Sequence, residues 1–329
     1  MKSGISIIVC CYNSAARIPA TLKHLSLQHT APNLDWEIIL VDNASTDNTQ
    51  QTAKEAWEKL GTNVDFKIVE QPKKGLANAR EMGVQKAKYD VLIFCDDDNW
   101  FEKDYVQNAF TIMKSNAQIG ALGGNGIAIS DEPLPAWFEK NKFCYASFPQ
   151  ADKEGDLIDP VSTLYGAGLV VSREALELLS NKKFKPLLTD RVGSMLTSGG
   201  DTELCYALRL VGYKLWYSET LKFSHYVPSS RLSEAYLCKL VSAMSYCSGM
   251  LIIYGYVLNG KQINGFTWLK DAAYQLFFLI GSVLKYLFGR ASLLEKKLNL
   301  AFSCSRVQSV FHQLGYYRFR YQQVLQLKK

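Results

Sequence analysis

Hydrophobic and polar positions divide the chain into three stretches. Over the first hundred residues, short β-branched runs alternate with helical spacing. Ile5–Cys11 is a continuous apolar run of the kind buried on both faces of a parallel sheet. Ala15–Leu27 has helical spacing through Ile18, Leu22 and Leu25. Glu37–Val41 reads as a second strand ending at Asp42, and Asp47–Leu60 as a helix stopped by Gly61. Phe66–Val69 is a third strand, Gly75–Ala87 a helix, and Val91–Cys95 a fourth strand running into Asp96, Asp97 and Asp98. Strand and helix alternating through short links predict right-handed βαβ units, a mostly parallel sheet and an α/β fold. Ligands in such sheets bind at the carboxyl ends of the strands.

After residue 100 the pattern loosens. Tyr105–Lys114 reads as a helix and Gly120–Ile129 as a strand interrupted by glycines. A loop-rich stretch over 130–160 precedes a strand-like Thr163–Ser172 and a helix starting at Arg173. A clear amphipathic helix follows over 201–212, then a short strand over Lys214–Tyr217. Beyond about 233 the chain becomes apolar and helical. Leu240–Gly260 carries no charge for 21 residues, enough to cross a bilayer, yet its serines and tyrosines keep its hydropathy middling. Ala272–Leu284 is more apolar but too short to span. Basic residues flanking apolar faces favour helices lying on a membrane surface, with a helical subdomain or oligomer interface as the alternative.

The composition, 48% hydrophobic and 21% charged over 329 residues, excludes disorder, collagen and coiled coil. It suits a domain over 1–232 followed by a basic helical region over 233–329. The net charge of +6 is too mild to suggest nucleic acid, but it is unevenly placed. Residues 261–329 hold eleven Lys and Arg against two acids, whereas the first 260 residues carry a net −3. A basic, apolar tail on an acidic body points to an anionic surface, such as the inner face of a cell membrane. None of the eight cysteines forms a C-x-x-C pair, which suits reduced cytosol. The opening MKSGISIIVCCYN reads as a first strand, not a signal peptide.

Five clusters carry candidate chemistry. In VLIFCDDDNW, residues 91–100, three carboxylates after a buried strand repel one another unless a cation sits among them. Mg²⁺ and Mn²⁺ suit such oxygen ligands and keep substrate phosphates in their shell. In EIILVDNASTDNT, Asp42 ends a strand and can accept from a base N–H or a ribose hydroxyl, while Asn43, Ser45 and Thr46 read as turn and cap residues. In KKGLANAREMG, Gly75 allows close backbone approach, and Lys74 or Arg80 can face a diphosphate or a base. In SGGDTELCYALRLVGYKLWYSE, Asp201 is placed as an N-cap in a Gly-Gly loop. A cap is worth about 1 kcal/mol and would suffice to explain it; a free carboxylate oxygen there could also take a proton from a hydroxyl. In KFSHYVPSSRL, His225 is a candidate imidazole ligand, and Arg231 could meet phosphate or pair with Glu234.

Together these clusters resemble the inverting glycosyltransferases of family 2, which have the GT-A fold. The resemblance rests on SIIVCCYN, LVDNASTDNT, GLANAREMG, FCDDDN and GGDTELCYALRLVGYKLWYSE in that order, over roughly residues 3–230. PAWFEKN and LYGAGLVVSREAL look like a polysaccharide-building subset. The resemblance implies a nucleotide-diphosphate sugar donor, Mg²⁺ or Mn²⁺, and a saccharide or lipid-linked acceptor. Tyr12 and Asn13 would join the donor site, Asp42 would bind the base, Asp96 the ribose, and Lys74, Gly75 and Arg80 the donor. Asp98 and His225 would bind the metal, with either frame of the triplet open for Asp97. Asp201 would be the base, Trp137 could stack on a sugar, and Gly200 stands where many members carry Glu. Two alternatives are weighed. A nucleotidyltransferase would want a Gly-rich phosphate loop, which CCYNSAAR lacks, as it lacks the dehydrogenase G-x-G-x-x-G. An inactive membrane-attached scaffold would be expected to have lost Asp42, Asp96, Asp98 or Asp201, all of which are present.

Overall fold

The computed structural model describes residues 2–188 and 198–328. In chain order its strands are β1 (Lys2–Cys11), β2 (Trp36–Asp42), β3 (Asp65–Glu70), β4 (Tyr89–Asp96), β5 (Asn99–Phe101), β6 (Ile119–Ile129), β7 (Gly155–Asp156), β8 (Val170–Ser172) and β9 (Lys214–Tyr226). Its helices up to residue 210 are α1 (Ile18–Ser26), α2 (Thr49–Leu60), α3 (Leu76–Lys86), α4 (Tyr105–Ser115), α5 (Phe138–Asn141), α6 (Arg173–Asn181) and α7 (Gly200–Leu210). The C-terminal ones are α8 (Glu234–Met250), α9 (Ile252–Leu258), α10 (Thr267–Phe288), α11 (Leu293–His312) and α12 (Tyr317–Lys328).

Among the described residues the strands form one sheet in the order β3-β2-β1-β4-β8-β6-β9-β5, with β7 beside β9. The first four run parallel, β8 is antiparallel to both β4 and β6, and β6 and β9 are parallel. Strand side chains alternate between faces, so both faces of β1 must be covered to justify a continuous apolar run. Ile5, Ile7 and Val9 pack on one side with Leu22 and Leu25 of α1, Trp57 of α2 and Val106 of α4. Ile8 packs on the other with Ala79 of α3, Leu179 of α6 and Leu208 of α7. That second core runs on into Ile253 and Tyr254 of α9 and Tyr321 and Leu327 of α12, so residues on both sides of position 232 share it.

Three elements differ from the sequence reading. Only Val170–Ser172 of the expected Thr163–Ser172 strand is extended into the sheet. Upstream, Gly168 has φ +68°, and Tyr105 donates its hydroxyl to the Gly168 carbonyl at 2.5 Å. The Gly166 N–H is directed to a side chain, not to a neighbouring strand. Lys214–Tyr217 is instead the start of a 13-residue strand. Polar Ser218, Glu219 and Thr220 interrupt its apolar pattern, and the register shift opposite Gly123–Asn125 lets pairing resume. The uncharged run after Leu240 is broken into α8 and α9, bent by 43°. No single described helix is long and apolar enough to cross a membrane; the bent pair passes by length and composition only.

Candidate active site

In this topology β1 lies between β2 and β4: the chain steps outward from β1 to β2 and β3, then crosses back to β4 on the other side of β1, so the direction of winding reverses at β1. The crevice at the carboxyl ends of β1 and β4 is therefore a topological switch point. A cavity of about 740 Å³ opens there. Tyr12, Lys74, Gly75, Arg80, Asp96, Asp97, Asp98, Asp201 and His225 all line it.

The aspartate triplet divides by environment. Asp97 turns toward α1, where its Oδ2 meets Arg17 at 2.5 Å and accepts from the Ser14 hydroxyl. Burial and the neighbouring Asp98 charge raise its pKa, with Arg17 opposing them. Asp98 is 4% exposed and lies between His225, whose Nε2 is at 3.5 Å, and the Arg231 guanidinium at 3.0 Å. Burial alone would raise its pKa; His225 and Arg231 hold it well below the usual carboxylate range. Arg231 is thus spent on Asp98, not on Glu234.

Backbone pairing puts His225 in place. β5 runs antiparallel to β9 with Asn99 opposite His225, and the Tyr226 N–H donates to the Asp98 carbonyl at 2.9 Å. The His225 Nδ1 lies 2.6 Å from the Tyr145 carbonyl. A carbonyl can only accept, so Nδ1 carries the proton and Nε2 is the nitrogen facing Asp98. Burial would lower the imidazole pKa, but Asp98 raises it above the usual value. Two electron-rich atoms held face to face need a proton or a metal ion between them. Among the described residues no three His, Cys, Asp or Glu side chains converge as a complete cage. The Asp98–His225 pair still fits a divalent ion whose remaining ligands are water and phosphate, the usual habit of Mg²⁺.

The basic rim comes from α3 and the loop before it. Asn43 clamps that loop, donating to the Gln71 and Lys73 carbonyls and accepting from the Gly75 N–H at 2.7 Å. Gly75 starts the helix at φ +132°, a backbone that side chains other than glycine rarely adopt. Lys74 lies over the Tyr12 ring, 5.2 Å from its centroid. Arg80 stacks on Phe94 at 5.1 Å. Gly166 separates Arg80 from Asp201: a Cβ there would lie 2.8 Å from the guanidinium and 3.2 Å from the carboxylate.

Asp201 is not the N-cap. Gly199 holds that place at φ +106°, Gly200 opens the helix, and Asp201 follows in its first turn. Asp201 Oδ2 accepts from the Gly166 N–H at 2.6 Å and Oδ1 from the Thr202 N–H at 2.7 Å. Each carboxylate oxygen has two lone-pair directions, so the anchored group can still accept a proton.

Four expected residues lie off the cavity lining. Asp42 accepts from the Ser45 N–H at 3.2 Å and from Gln50 at 2.6 Å, and is buried. Asn13 accepts from the Thr46 N–H at 2.8 Å, fixing one turn against another. Ser45 accepts from the Asn13 N–H; like Asn43 it bridges loops and does not cap a helix. Trp137 packs on Phe138, and Gly200 is the first residue of α7, just before Asp201. The sequence reading missed Arg17, Tyr145, Gly166 and Glu203. Arg17 was visible in CCYNSAAR; Tyr145 acts through its backbone and carries no side-chain signal. Glu203 is buried, accepts from the Leu187 and Leu188 N–H groups and from the Tyr254 hydroxyl, and burial pushes its pKa up to about 7.

A switch-point crevice with an acidic floor, a basic rim and mixed outer strands defines an α/β fold of the GT-A type. Residues 6–179, more than half of the chain, match the model of Glycosyl transferase family 2, and the chain belongs to that family. The poly-beta-1,6-N-acetyl-D-glucosamine synthases of Staphylococcus epidermidis and Staphylococcus aureus (strain COL) are each 32% identical to it over 124 residues. Those matches cover 37% of this chain and 28% of each synthase, so the chain spans under a third of their length. The solved structure of Staphylococcus aureus TarS 1-349 in complex with UDP aligns with TM-score 0.51 at 15% identity, over 99% of this chain and 90% of that one. The mannosyltransferase PcManGT from Pyrobaculum calidifontis, in complex with GDP-Man and Mn²⁺, aligns with TM-score 0.55 at 15% identity, over 99% and 85%. At such identities the likeness is one of fold.

Proposed function

We propose that this chain transfers a sugar from a nucleoside-diphosphate sugar to an acceptor hydroxyl, with inversion at the anomeric carbon, in cell-surface polysaccharide synthesis. The observation that carries the reading is the meeting, in one cavity, of Asp201, Arg80 and the Asp98–His225 pair. TarS binding UDP and PcManGT binding GDP-Man and Mn²⁺ support a donor of this class.

In this reading the nucleoside end lies by Tyr12, Lys74 and Gly75, with the ribose near Asp96. Lys74 and Arg80 face the diphosphate. Asp98 and His225 would hold Mg²⁺ or Mn²⁺, which when bound neutralises charge on the departing diphosphate. Asp201, anchored by Gly166, takes the proton of the acceptor hydroxyl. The freed oxygen forms the new bond to C1 while the C1–O bond to the diphosphate breaks, its electron pair leaving with the diphosphate. Asp97 keeps the loop after β1 closed on β4 through Arg17. Asp42 and Asn13 act from behind the wall, holding the turns that shape the base end.

Asp201→Asn keeps the shape and the Gly166 hydrogen bond but removes the base. Transfer should fall about 10²- to 10⁴-fold. Stabilisation of the fold by a nucleotide sugar with Mn²⁺, read as a thermal shift, should survive. A variant that transfers normally, or one that stays folded but no longer responds to donor, contradicts this role.

We also propose attachment to the inner face of the membrane through the C-terminal helices. α10 exposes Phe277 at 72%, Ile280 at 60%, Leu287 at 61% and Phe288 at 80%. Lys285 and Arg290 lie beside that apolar surface, the arrangement of an interfacial helix on anionic lipid.

A further inference from the structure

Toward His225, Tyr145 acts through its carbonyl; its side chain reaches the support of the other candidate ligand. The Tyr145 hydroxyl donates to the Arg231 carbonyl at 2.9 Å, and the Arg231 guanidinium in turn meets Asp98 Oδ2 at 3.0 Å. One residue is therefore joined to both Asp98 and His225. Its own place is closely fixed. The ring is buried, 4.9 Å from the Phe138 ring, and the carbonyl accepts from the Ser147 hydroxyl at 2.9 Å as well as from His225. Ala146 then turns the chain at φ +48°, a left-handed backbone that residues other than glycine seldom adopt. Gly126 of β6 makes room for that turn: a Cβ there would collide with the Ala146 carbonyl oxygen.

The two oxygens of Asp98 have separate partners. Oδ1 faces His225 Nε2 at 3.5 Å and accepts from the Asn99 side-chain amide at 3.2 Å, while Oδ2 takes one Arg231 nitrogen. A guanidinium at liberty to move prefers both oxygens of a carboxylate, donating two parallel hydrogen bonds. If Arg231 did so, Oδ1 would turn from His225 and be paired with a cation already. Resting on the sugar-transfer reading above, we propose that Tyr145 is a positioning residue for the metal site. By pinning the backbone of Arg231, its hydroxyl holds the guanidinium to Oδ2 and keeps Oδ1 beside His225 Nε2 for a divalent ion. Outer partners of metal ligands tune affinity in this way, commonly by about 10- to 100-fold.

The test uses the full chain with UDP present. Mn²⁺ binding is read from the loss of the free-ion signal in electron paramagnetic resonance, and UDP affinity in chelator and thermal melting are measured beside it. Tyr145→Phe deletes the hydroxyl but leaves the ring and the carbonyl. It should weaken Mn²⁺ binding about tenfold, while UDP affinity in chelator stays within about twofold of the parent. The loss should vanish where no guanidinium needs restraint. Tyr145→Phe added to Arg231→Met should change Mn²⁺ affinity by less than about twofold from that of Arg231→Met alone. Three results would overturn the proposal by making Tyr145 a packing residue only: unchanged Mn²⁺ affinity in Tyr145→Phe, Mn²⁺ and chelator-UDP affinities falling together, or the full loss recurring on Arg231→Met. A Tyr145→Phe chain that no longer melts cooperatively counts the same way. The parent chain separates the two failures. If it binds UDP and Mn²⁺ and Tyr145→Phe behaves alike, the positioning role alone fails; if it binds neither, the sugar-transfer reading fails and takes this inference with it.

Discussion

Three aspartates in a row have three different surroundings, and their surroundings sort their roles. Asp97 is held by Arg17 and Ser14, Asp98 by His225 and Arg231, and Asp96 closes β4 at the cavity wall. Asp98→Ala should therefore weaken UDP binding tenfold or more in Mn²⁺, about 1.4 kcal/mol or more, and little in the presence of chelator. Equal losses in both conditions, measured by calorimetry, would argue that Asp98 is structural only. The variant also strands His225 and Arg231 without their anion, so a lower melting temperature is expected, since breaking a buried pair costs about 3–5 kcal/mol. The triplet was legible in the sequence because charge clustered at the end of an apolar strand has few structural explanations. Gly166 and the Tyr145 carbonyl were not legible. One acts by lacking a side chain and the other through its backbone, and both matter only once distant segments meet.

At the scale of elements, the parallel half of the sheet could be read directly, because burial on both faces writes an unbroken apolar run. β8 and β9 could not. Gly168 and the Gly166–Asp201 bond turn the chain before β8, and the polar stretch at 218–220 conceals the continuity of β9. α7 was visible by periodicity, yet the role of Glu203 within it was not. Glu203 ties α7 to residues 187–188 and to Tyr254 of α9, and so holds the helix that carries Asp201. Its raised pKa, about 7 against an ordinary value near 4.3, gives a stability signature. Between those values the folded state binds more protons than the unfolded one, so stability falls as pH rises through the window and levels off above it. The total is on the order of 3 kcal/mol. Glu203→Gln removes the titration, so the variant should gain on the parent protein from pH 5 to pH 8 in calorimetric melting. Parallel curves would show that Glu203 is not held protonated.

At the scale of the molecule, the C-terminal third both completes the core and presents an apolar surface. α9 and α12 contribute Ile253, Tyr254, Tyr321 and Leu327 to the core that contains Ile8. Removing everything after residue 232 would therefore unmake the cavity along with any membrane contact, and would test neither. Surface substitutions on α10 are the cleaner probe. Phe277→Glu combined with Ile280→Glu should reduce sedimentation with phosphatidylglycerol vesicles about tenfold or more, while donor-induced thermal stabilisation persists. Unchanged sedimentation would place the membrane contact elsewhere. The mild net charge of the whole chain hides a regional imbalance, with the basic excess confined to residues 261–329, and that imbalance is what motivates the membrane proposal.

The central claim is that one crevice at the switch point holds donor, ion and base together. A crystal structure with UDP and Mn²⁺ tests it most directly. The account predicts the ion bound by Asp98 and His225, the diphosphate between it and Arg80, the uridine toward Tyr12 and Lys74, and the Asp201 carboxylate facing the vacant sugar position. Ion and nucleotide bound at any other place, or Asp201 pointing away from them, would contradict it.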